Sequence, residues 1–558
     1  MLSPGRMLAS AQEEPRPSGP APSSTARLPA SFDRDRDAIV LVGDSFGARA
    51  LELRSAGVLR VLALTKTAQP SVEGVRAAQT TSETLARLVE FDPPPDNVVV
   101  ERIAGSSFTD QELRDFAAAV RDRAMNSATI AVAGATWIKH CLTNLPELAR
   151  AEGLEAFAGR FRGTPAIVVS PGPSLQKNID KLQGASDKAL IIAGNRALLP
   201  LRKAGIVPHI VVVADALNLR YQLDDGLLDG VALLALDVVC HSEVVSLPAA
   251  RKVFFASNPE TFRSGLSVVS ERGLLRSGGS VATLAYSLAA FVGCEQIALV
   301  GQDLALAGSS YYVESAPDGS TKIQIDETGR GIFKNSSEAL RRAMAENRTV
   351  AGLGENAVQD FYEVPGYDGG AVRTSRQFDT YRMWFSSEAQ RLAPQVLTVN
   401  CTEGGARIDG VQQRALSEFL SEFAADAGVS ERLPAVDPPS QKRRKKEILG
   451  FVEGLQKTLL QTEVELNKCE RLRKQASQSP DALARLDLAE KQLNSVVSKV
   501  PFVVALESAE VDAARRQGAN AKTLEESLDA TGRLYRTIER AIITARPLLA
   551  RARKELKT

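Results

Sequence analysis

The sequence predicts an α/β protein with a central doubly wound, mostly parallel sheet of the Rossmann-like type, a smaller N-terminal α/β domain and a C-terminal helical bundle. Two observations predict this class. Short apolar runs alternate with helical stretches between residues 38 and 301, as a parallel sheet with helical crossovers requires. From residue 434 onward, a highly charged segment has the apolar spacing of amphipathic helices.

Length and composition limit the class of protein. At about 150 residues per domain, a chain of 558 residues is long enough for three or four domains. Apolar residues make up 44% of the chain and charged residues 24%, the usual balance of a globular protein. Lysines and arginines number 68 against 67 aspartates and glutamates, so no overall field favours nucleic acid or an acidic membrane as a partner.

Cysteine spacing and hydropathy predict a cytoplasmic protein. The five cysteines are widely scattered, and no two of them have the spacing of a zinc site or a redox motif. No apolar run approaches the roughly 20 residues that cross a bilayer. The N-terminus lacks a basic segment followed by a hydrophobic core. We therefore expect neither secretion nor a membrane span.

Three boundaries divide the chain. Residues 1–37 are rich in Pro, Ser, Ala and Arg and are predicted to be a disordered leader. An N-terminal α/β domain follows over residues 38–150. The central domain covers residues 151–433, with a lid or insertion around residues 309–370, where Gly, Ser and charged residues surround a helical stretch. Residues 434–558 are predicted to be a helical domain.

The elements are predicted in chain order from these patterns. The N-terminal domain has four apolar runs typical of strands, at residues 38–43, 58–64, 97–103 and 129–133. The central domain has six more, at residues 166–170, 189–194, 210–215, 231–237, 252–255 and 296–301. In the tail, one apolar stripe predicts a helix and is formed by Ile448, Phe451, Leu455, Leu459 and Leu466. Ser479 and Pro480 predict the start of another helix.

The turn after the strand at residues 166–170 is the most informative local feature. It contains Gly172, Pro173 and Ser174 and leads into a helix. Glycine permits close backbone approach, Ser174 can cap the helix, and helix N-termini attract anions. The turn therefore predicts a site for a phosphate-bearing ligand, although an ordinary capped helix has the same pattern. A second Gly/Ser-rich helix start, at Ser280, could hold another anion or serve only as a cap.

Polar residues follow several central strands at the point where each strand ends. They are Asn195, Asp215, Asp237 and, directly after Gly301, Gln302 and Asp303. Because open α/β sheets bind ligands at the carboxyl ends of their strands, we expect a polar-ligand site there, suited to sugar or ribose hydroxyls. Each residue alone would also suit a helix cap. A metal site is the less favoured alternative, because no recognised divalent-ion motif frames the carboxylates.

Familiar catalytic motifs are missing from the sequence. There is no nucleophile elbow, P-loop or zinc-protease motif, which disfavours the common hydrolases and kinases. Of the three histidines, only His241 lies just past a strand end, where a catalytic role is reasonable.

Three motifs occur in a fixed order, namely Pro-Gly-Pro-Ser-Leu at 171–175, Gly-Gln-Asp-Leu-Ala at 301–305 and Thr-Glu-Gly-Gly-Ala-Arg-Ile at 402–408. Together with the segments 364–367 and 372–375, they resemble the motility accessory factor family. The resemblance covers the chain from the first predicted strand to just beyond the last motif. It implies an N-terminal α/β domain, a central domain shared with the 6-hydroxymethylpterin diphosphokinase-like proteins of the methanopterin pathway, and a helical C-terminal region.

The central domain is also similar to bacterial sialyltransferases that use CMP-sialic acid. Their Gly-Pro-Ser-Leu, asparagine and Gly-x-Asp motifs match residues 172–175, Asn195 and residues 301–303. The resemblance therefore implies that these residues bind a CMP-linked donor.

Two further sialyltransferase features concern catalysis. A tyrosine that contacts the donor phosphate matches Tyr311, in a segment that includes Ser310. An earlier phosphate-binding tyrosine is missing near Ala305, and the histidine base is missing from residues 367–380. The resemblance thus leaves the identity of the base open.

The resemblance implies a glycosyltransferase that moves a nonulosonic acid, of the pseudaminic, legionaminic or sialic type, from a CMP-activated donor to a serine or threonine of a protein acceptor, flagellin. It also places Thr402, Glu403 and Gly404 in the donor site. The acceptor hydroxyl needs a proton acceptor, and the candidates are Asp303, Glu403, Asp368 and His241. No cofactor is required besides the donor, and dependence on magnesium is left open.

Two alternatives remain. A 6-hydroxymethylpterin diphosphokinase-like enzyme would share the central domain but need a nucleoside triphosphate and a divalent ion. The additional terminal regions and the block at 402–406 disfavour it. A non-catalytic binding or assembly protein would explain the missing histidine and tyrosine. The basic run at 442–446 is interpreted as a solvated helix start, and no nucleic-acid partner is predicted. The oligomeric state is left open.

Overall fold

A computed structural model describes residues 32, 34, 37–67, 72–88, 98–257, 266, 272–346, 359–423, 428–432, 438–477 and 479–558. They divide into two compact units. The first unit comprises Met1–Val132, Glu463–Ser495 and Glu507–Arg540, and the second comprises Ala133–Thr462, Val496–Leu506 and Ala541–Thr558. Apart from residues 32, 34 and 37, the predicted leader lies outside the described residues. The predicted domain boundaries stay a prediction.

The first unit contains a four-stranded parallel sheet in the order β3-β2-β1-β4. Its strands are β1 (Ala38–Val42), β2 (Val61–Leu64), β3 (Val75–Ala78) and β4 (Val98–Arg102), and its first helices are α1 (Gly47–Ser55) and α2 (Thr81–Leu88). All five residues of β1 are buried, because this strand lies inside the sheet and alternate side chains enter two apolar clusters. The predicted α/β character of this region is confirmed.

One predicted strand of this region is wrong. Residues 129–133 lie within α3 (Asp110–Arg150), a helix of 41 residues. The run Thr-Ile-Ala-Val-Ala, with four apolar residues, is too short for its periodicity to distinguish a strand from a helix segment. Here the chain contains no glycine or proline between residues 110 and 133 to end a helix, so the helix continues through the run.

The second unit contains the remaining strands of the chain. They are β5 (Glu152–Gly153), β6 (Ala166–Val169), β7 (Leu190–Gly194), β8 (Ile210–Val213), β9 (Leu233–Asp237), β10 (Lys252–Phe255), β11 (Gln296–Val300), β12 (Lys322–Ile325), β13 (Arg330–Lys334), β14 (Gln359–Pro365), β15 (Ala371–Ser375), β16 (Leu397–Asn400) and β17 (Gln412–Gln413). The helices between these strands are α4 (Leu175–Asn178), α5 (Asn195–Lys203), α6 (Ser242–Val245), α7 (Val281–Phe291), α8 (Glu338–Glu346) and α9 (Arg376–Leu392), and α10 (Leu416–Phe423) follows them.

Nine of these strands form one sheet in the order β17-β16-β11-β6-β7-β8-β9-β10-β5, and every pair is parallel. From β6 the chain proceeds outward to β10, and it then returns to place β11 on the other side of β6. The strand order therefore reverses between β6 and β11. This is the topological switch point, where open α/β sheets bind their ligands.

Apolar layers cover both faces of this sheet. Val168 and Ile192 point into a cluster that includes Leu284 of α7 and Phe385 of α9. Their neighbours along the strands point into a second cluster, with Leu175 of α4 and Leu416 of α10. Strands buried on both faces are near-continuous apolar runs, which explains why they could be predicted from sequence. The predicted doubly wound, mostly parallel sheet is confirmed.

The predicted insertion contains an antiparallel sheet. Its strand order is β12-β13-β14-β15, and α8 lies between β13 and β14. Residues 347–358, within the predicted lid, lie outside the described residues. The sheet continues to Ser375, five residues beyond the predicted end of the insertion at residue 370. Its role as a lid stays a prediction.

The C-terminal region is helical, as predicted. Its helices are α11 (Pro438–Ala476), α12 (Pro480–Val497), α13 (Phe502–Ala505), α14 (Ser508–Ala519) and α15 (Leu524–Lys557). Of the predicted apolar stripe on α11, Phe451 is half-buried and the other four residues are buried. Ser479 caps α12, because its Oγ accepts from the Ala482 N–H at 3.4 Å. Within the described part of the chain, none of the helices is both long enough and apolar enough to cross a membrane.

Candidate functional site

The three sequence motifs meet at the switch point of the large sheet. The motif at 171–175 follows β6, the motif at 301–305 follows β11, and the motif at 402–408 follows β16. These strands are direct neighbours, in the order β16-β11-β6. Segments that are more than 200 residues apart in sequence therefore form one surface at the carboxyl edge of the sheet.

Asp303 joins the first two motifs. Its Oδ1 accepts from the Ser174 N–H at 3.1 Å, and its Oδ2 accepts from the Ser174 hydroxyl at 2.7 Å. Gly172 is required here, because a Cβ on this residue would lie 2.0 Å from Asp303 Oδ2. Ser174 consequently does not cap α4, and both of its donors are already bound to a carboxylate. The predicted role of Ser174 in binding the donor phosphate stays a prediction, and this geometry does not favour it.

Burial changes the acidity of Asp303. Its side chain is buried, and desolvation raises the pKa of the carboxyl to about 6, although the hydrogen bonds from Ser174 lower it. A carboxylate so enclosed holds the two loops together and is poorly placed to take a proton from an acceptor. As a candidate base, Asp303 is therefore disfavoured.

The third motif is tied to the same loops. Thr402 Oγ1 accepts from the Gln302 N–H at 3.2 Å, and Gln302 Oε1 accepts from the Ser170 hydroxyl at 2.5 Å. Glu403 pairs with Lys181 at 2.9 Å, and its Oε1 accepts from the N–H of Leu416 at 2.8 Å. Both contacts engage the carboxylate of Glu403. Glu403 therefore holds the third motif against α10 and the segment of Lys181, and as a candidate base it is disfavoured in the same way as Asp303.

A hairpin of the antiparallel sheet contacts the third motif. The Tyr367 N–H donates to the Gly405 carbonyl at 2.8 Å, and the Arg407 N–H donates to the Pro365 carbonyl at 2.9 Å. This places Asp368, on the turn between β14 and β15, next to the motif loop. Asp368 is exposed, and among the described residues none forms a hydrogen bond or ion pair with its carboxylate. Its carboxylate is therefore free to accept a proton.

His241, the histidine predicted as a candidate base, serves as a helix cap in the structure. Its Nδ1 accepts from the Glu243 N–H at 3.2 Å, so His241 caps α6. With Nδ1 as an acceptor, the neutral ring carries its proton on Nε2, which leaves no free lone pair for a base. Burial also lowers the pKa of this histidine. His241 is half-buried beside His140, with a ring distance of 5.1 Å.

Asn195 and Asp215 lie at the ends of β7 and β8, on the far side of β6 from Asp303. Asp215 is half-buried, and its Oδ1 accepts from the Leu217 N–H at 2.9 Å. Three strand spacings separate β8 from β11, about 14 Å at 4.8 Å per spacing. Asp215 and Asp303 are thus too far apart to share one ion. The sheet edge between them is long enough for an extended ligand.

Tyr311 and Ser310, the two residues of the insertion that were predicted to lie at the donor phosphate, have partners within the protein. Tyr311 is 7% exposed, and its ring stacks on Phe378 at 4.5 Å and meets Tyr312 edge-on at 4.9 Å. It is part of a small apolar cluster. Ser310 Oγ accepts from Lys322 at 2.8 Å. The phosphate role of Tyr311 stays a prediction. The hydroxyl of the neighbouring Tyr312 accepts from Arg196 at 2.6 Å.

Four residues that sequence reasoning missed surround Asn195. Arg196 donates to Tyr312 Oη at 2.6 Å and to Asp318 at 3.1 Å. Gln222 accepts from the Asn195 amide. Asp318 is completely buried although it lies in an irregular turn of the insertion. Of these, only Arg196 had a sequence signal, its position directly after the strand-end asparagine.

Ser280 caps α7, which was one of the two roles predicted for it. Its Oγ accepts from the Thr283 N–H at 3.3 Å. The preceding Gly278 approaches the ring of Trp384 so closely that a Cβ would lie 2.4 Å from it. Anion binding at this helix start stays a prediction. No cluster of three or more His, Cys, Asp or Glu side chains suited to a metal ion occurs among the described residues.

Asp237 is a buried carboxylate with an unsatisfied oxygen. It is completely buried, its Oδ1 accepts from the Val239 N–H at 3.2 Å, and its Oδ2 has no hydrogen-bond partner. Desolvation raises the pKa of this carboxyl from 3.8 to about 7. The folded state therefore retains the proton at a pH where the unfolded chain has lost it. The stability that protonation contributes is complete below pH 3.8 and is lost as the pH rises through 7.

We expect Asp237→Asn to stabilise the protein at pH 8 and to have a smaller effect at pH 5. The amide oxygen retains the contact with Val239, while a neutral group replaces the unpartnered oxygen. Three pKa units correspond to at most about 4 kcal/mol. Thermal melting of both proteins at the two pH values measures this. A melting-temperature difference that does not change with pH would contradict it.

Comparisons with known proteins concern the central region and the fold. The family model described as 6-hydroxymethylpterin diphosphokinase MptE-like matches residues 139–309, the part of the chain that contains β6 to β11. Among solved structures, a MAf glycosyltransferase from Magnetospirillum magneticum AMB-1 has a TM-score of 0.51 at 13% sequence identity, over 93% of this chain and 77% of that chain. The chain has the fold of that glycosyltransferase. The predicted resemblance is thereby confirmed in the fold. No curated protein sequence matches the chain.

Proposed function

We propose that the protein is a glycosyltransferase that moves a nonulosonic acid from a CMP-activated donor to a serine or threonine hydroxyl of a protein acceptor, flagellin. The observation that carries the proposal is the meeting of the three motifs at the switch point, through Asp303, Ser174, Gln302 and Thr402. The fold shared with a MAf glycosyltransferase supports it. Donor identity and acceptor identity rest on the motif resemblance.

The donor would lie across the carboxyl ends of β11, β6, β7 and β8. Its hydroxyls would contact Asn195 and Asp215, the polar residues that follow β7 and β8. Lys177 is exposed beside the third motif, with its Nζ 3.3 Å from the Glu403 carbonyl oxygen. A cation at this position can stabilise the negative charge that develops on the leaving phosphate.

The chemistry requires one bond exchange. The acceptor oxygen attacks the anomeric carbon, the bond from that carbon to the phosphate oxygen breaks, and CMP leaves with the electron pair. The acceptor proton must pass to a base within hydrogen-bond reach. We propose Asp368 for this step. Of the four predicted candidates, it alone has no side-chain acceptor atom bonded to a described residue. It also lies in the segment 367–380 where similar sialyltransferases have their base.

The diphosphokinase is the second candidate function, because the family model that matches residues 139–309 carries that description. It would bind a nucleoside triphosphate together with a divalent ion. Nothing in the geometry of the described residues favours it over sugar transfer, but a nucleotide titration separates the two.

Calorimetry with CMP, CTP and ATP, each with and without magnesium, tests the proposal. We expect binding of CMP that does not depend on magnesium. Binding of CMP-N-acetylneuraminic acid, which carries both the ribose and the sugar hydroxyls, should be weakened about 2- to 12-fold by Asn195→Ala, the effect of one lost hydrogen bond. Gln183→Ala, an exposed side chain away from the site, is the matched control. Magnesium-dependent preference for ATP would support the diphosphokinase instead, and absence of nucleotide binding would favour an assembly role.

A further inference from the structure

Three buried polar side chains form a relay behind the edge of β7. Asn195 donates through its Nδ2 to Gln222 Oε1. Gln222 in turn donates through its Nε2 to Asp318 Oδ2 at 3.2 Å and to Tyr221 Oη at 2.8 Å. Asn195 is 4% exposed, and Gln222 and Asp318 are completely buried. We call Asn195, Gln222 and Asp318 the amide relay.

The direction of the amide relay is determined at its Asp318 end. This carboxylate accepts from Arg196 Nε at 3.1 Å, from Ser337 Oγ at 2.8 Å and from the hydroxyl of Tyr221. An ionised carboxylate has no proton to donate. Gln222 must therefore present its NH₂ group to Asp318, and its carbonyl oxygen faces the other way, toward Asn195.

The same logic determines the orientation of Asn195. Only its NH₂ group can satisfy the carbonyl oxygen of Gln222, so its Oδ1 faces away from Gln222 and is left as an acceptor for other contacts. None of the described residues donates to this Oδ1. A flipped amide would place two oxygens against each other in a buried position, where unsatisfied polar atoms are costly. The amide relay thus holds Oδ1 of Asn195 as an acceptor at the carboxyl end of β7.

We infer that Oδ1 of Asn195 accepts a hydrogen bond from a hydroxyl of the nucleotide sugar, and that Gln222 and Asp318 are positioning residues for this contact. The inference rests on the proposed function. Because Oδ1 can only accept, the ligand group opposite it is a donor, and a phosphate or carboxylate oxygen is excluded at this point. The hydroxyl belongs either to the ribose or to the transferred sugar.

Titrations with CMP, 2′-deoxy-CMP, 3′-deoxy-CMP and CMP-N-acetylneuraminic acid distinguish these sources. Gln222→Met removes the relay at similar side-chain volume, and Gln183→Met on an exposed loop is the matched control. One neutral hydrogen bond corresponds to about a 2- to 12-fold change in Kd. If the ribose supplies the hydroxyl, the wild type prefers CMP to one deoxy analogue by that factor, and Gln222→Met loses the preference.

If the sugar supplies the hydroxyl, the deoxy analogues bind like CMP, and Gln222→Met reduces the advantage of the CMP-sugar over CMP instead. Either ratio change supports the inference, because a merely structural defect would weaken all ligands equally. Asp318→Asn, which can turn an amide donor toward Gln222, should change the same ratio and serves if Gln222→Met does not fold. Equal weakening of all ligands, or unchanged ratios in both variants, overturns the inference while leaving the proposed function intact. Failure of the wild type to bind any of the four ligands overturns both.

Discussion

Asp368→Asn is expected to lower kcat for sugar transfer by about 10²- to 10⁴-fold, the usual contribution of general base catalysis. The carboxylate is exposed on a hairpin turn whose backbone is bonded to Gly405 of the third motif, and no described residue pairs with it. An amide of the same shape cannot take the acceptor proton. The affinity for CMP should stay within experimental error of the wild type, because Asp368 is not among the residues placed at the donor.

The matched control for this prediction is Glu363→Gln. Glu363 is an exposed carboxylate on β14 of the same hairpin, and its neutralisation should leave kcat unchanged. Single-turnover rates with saturating donor, together with calorimetric Kd values for CMP, separate the chemical step from binding. A normal rate for Asp368→Asn would remove Asp368 as the base and return the assignment to the other candidates.

Gly405→Ala is expected to lower the free energy of unfolding by about 2–5 kcal/mol. Gly405 has φ +71, and a Cβ there would lie 2.2 Å from the carbonyl oxygen and 2.5 Å from the Cα of Asp303. The left-handed conformation costs about 1–2 kcal/mol for alanine, and the overlap with backbone atoms adds about 1–3 kcal/mol. Since the neighbouring Ala406 N–H donates to the same carbonyl at 2.7 Å, the two loops cannot separate without losing this bond.

Gly184→Ala isolates the cost of the clash. Gly184 has φ +73, close to that of Gly405, but nothing lies within 4 Å of the position that a Cβ would take there. It should therefore show only the conformational cost, at most about 2 kcal/mol. Urea unfolding of the two variants compares them directly. Equal losses of stability would mean that the close approach of the third motif to Asp303 does not contribute to the fold.

The large sheet could be predicted because its physical signal is local. Each of its longer strands is a short, continuous apolar run, and the polar residue at its end marks the edge where parallel strands bind ligands. Residues 129–133 show the limit of this signal, because the same apolar run inside α3 is compatible with either element. Length and flanking residues, which distinguish strands from helices, favoured a helix there.

The interior of the candidate site could be predicted less well. Asp303 and Glu403 are in the predicted site, but their contacts with Ser174 and Lys181 come from segments more than 100 residues away. Contacts between such distant residues produce no periodic pattern in a single sequence, so they could not be predicted from it. Gln222 ends a three-residue 3-10 helix and Asp318 lies in a turn of the insertion, so neither belongs to a longer element that a sequence pattern predicts. Sequence reasoning therefore predicted the sheet edge at which the three motifs meet, and it missed the side chains that orient Asn195 there.

The most direct test of the central claim is the mass of the acceptor protein after incubation with the enzyme and CMP-activated pseudaminic, legionaminic or sialic acid. We predict that purified flagellin gains the mass of the nonulosonic acid residue, with stoichiometric release of CMP, and that serine or threonine carries the sugar. Asp368→Asn should show the same products at a strongly reduced rate. Nucleotide binding without any gain of mass on flagellin, or on other proteins of the same cell, would contradict the transferase and support a binding or assembly role.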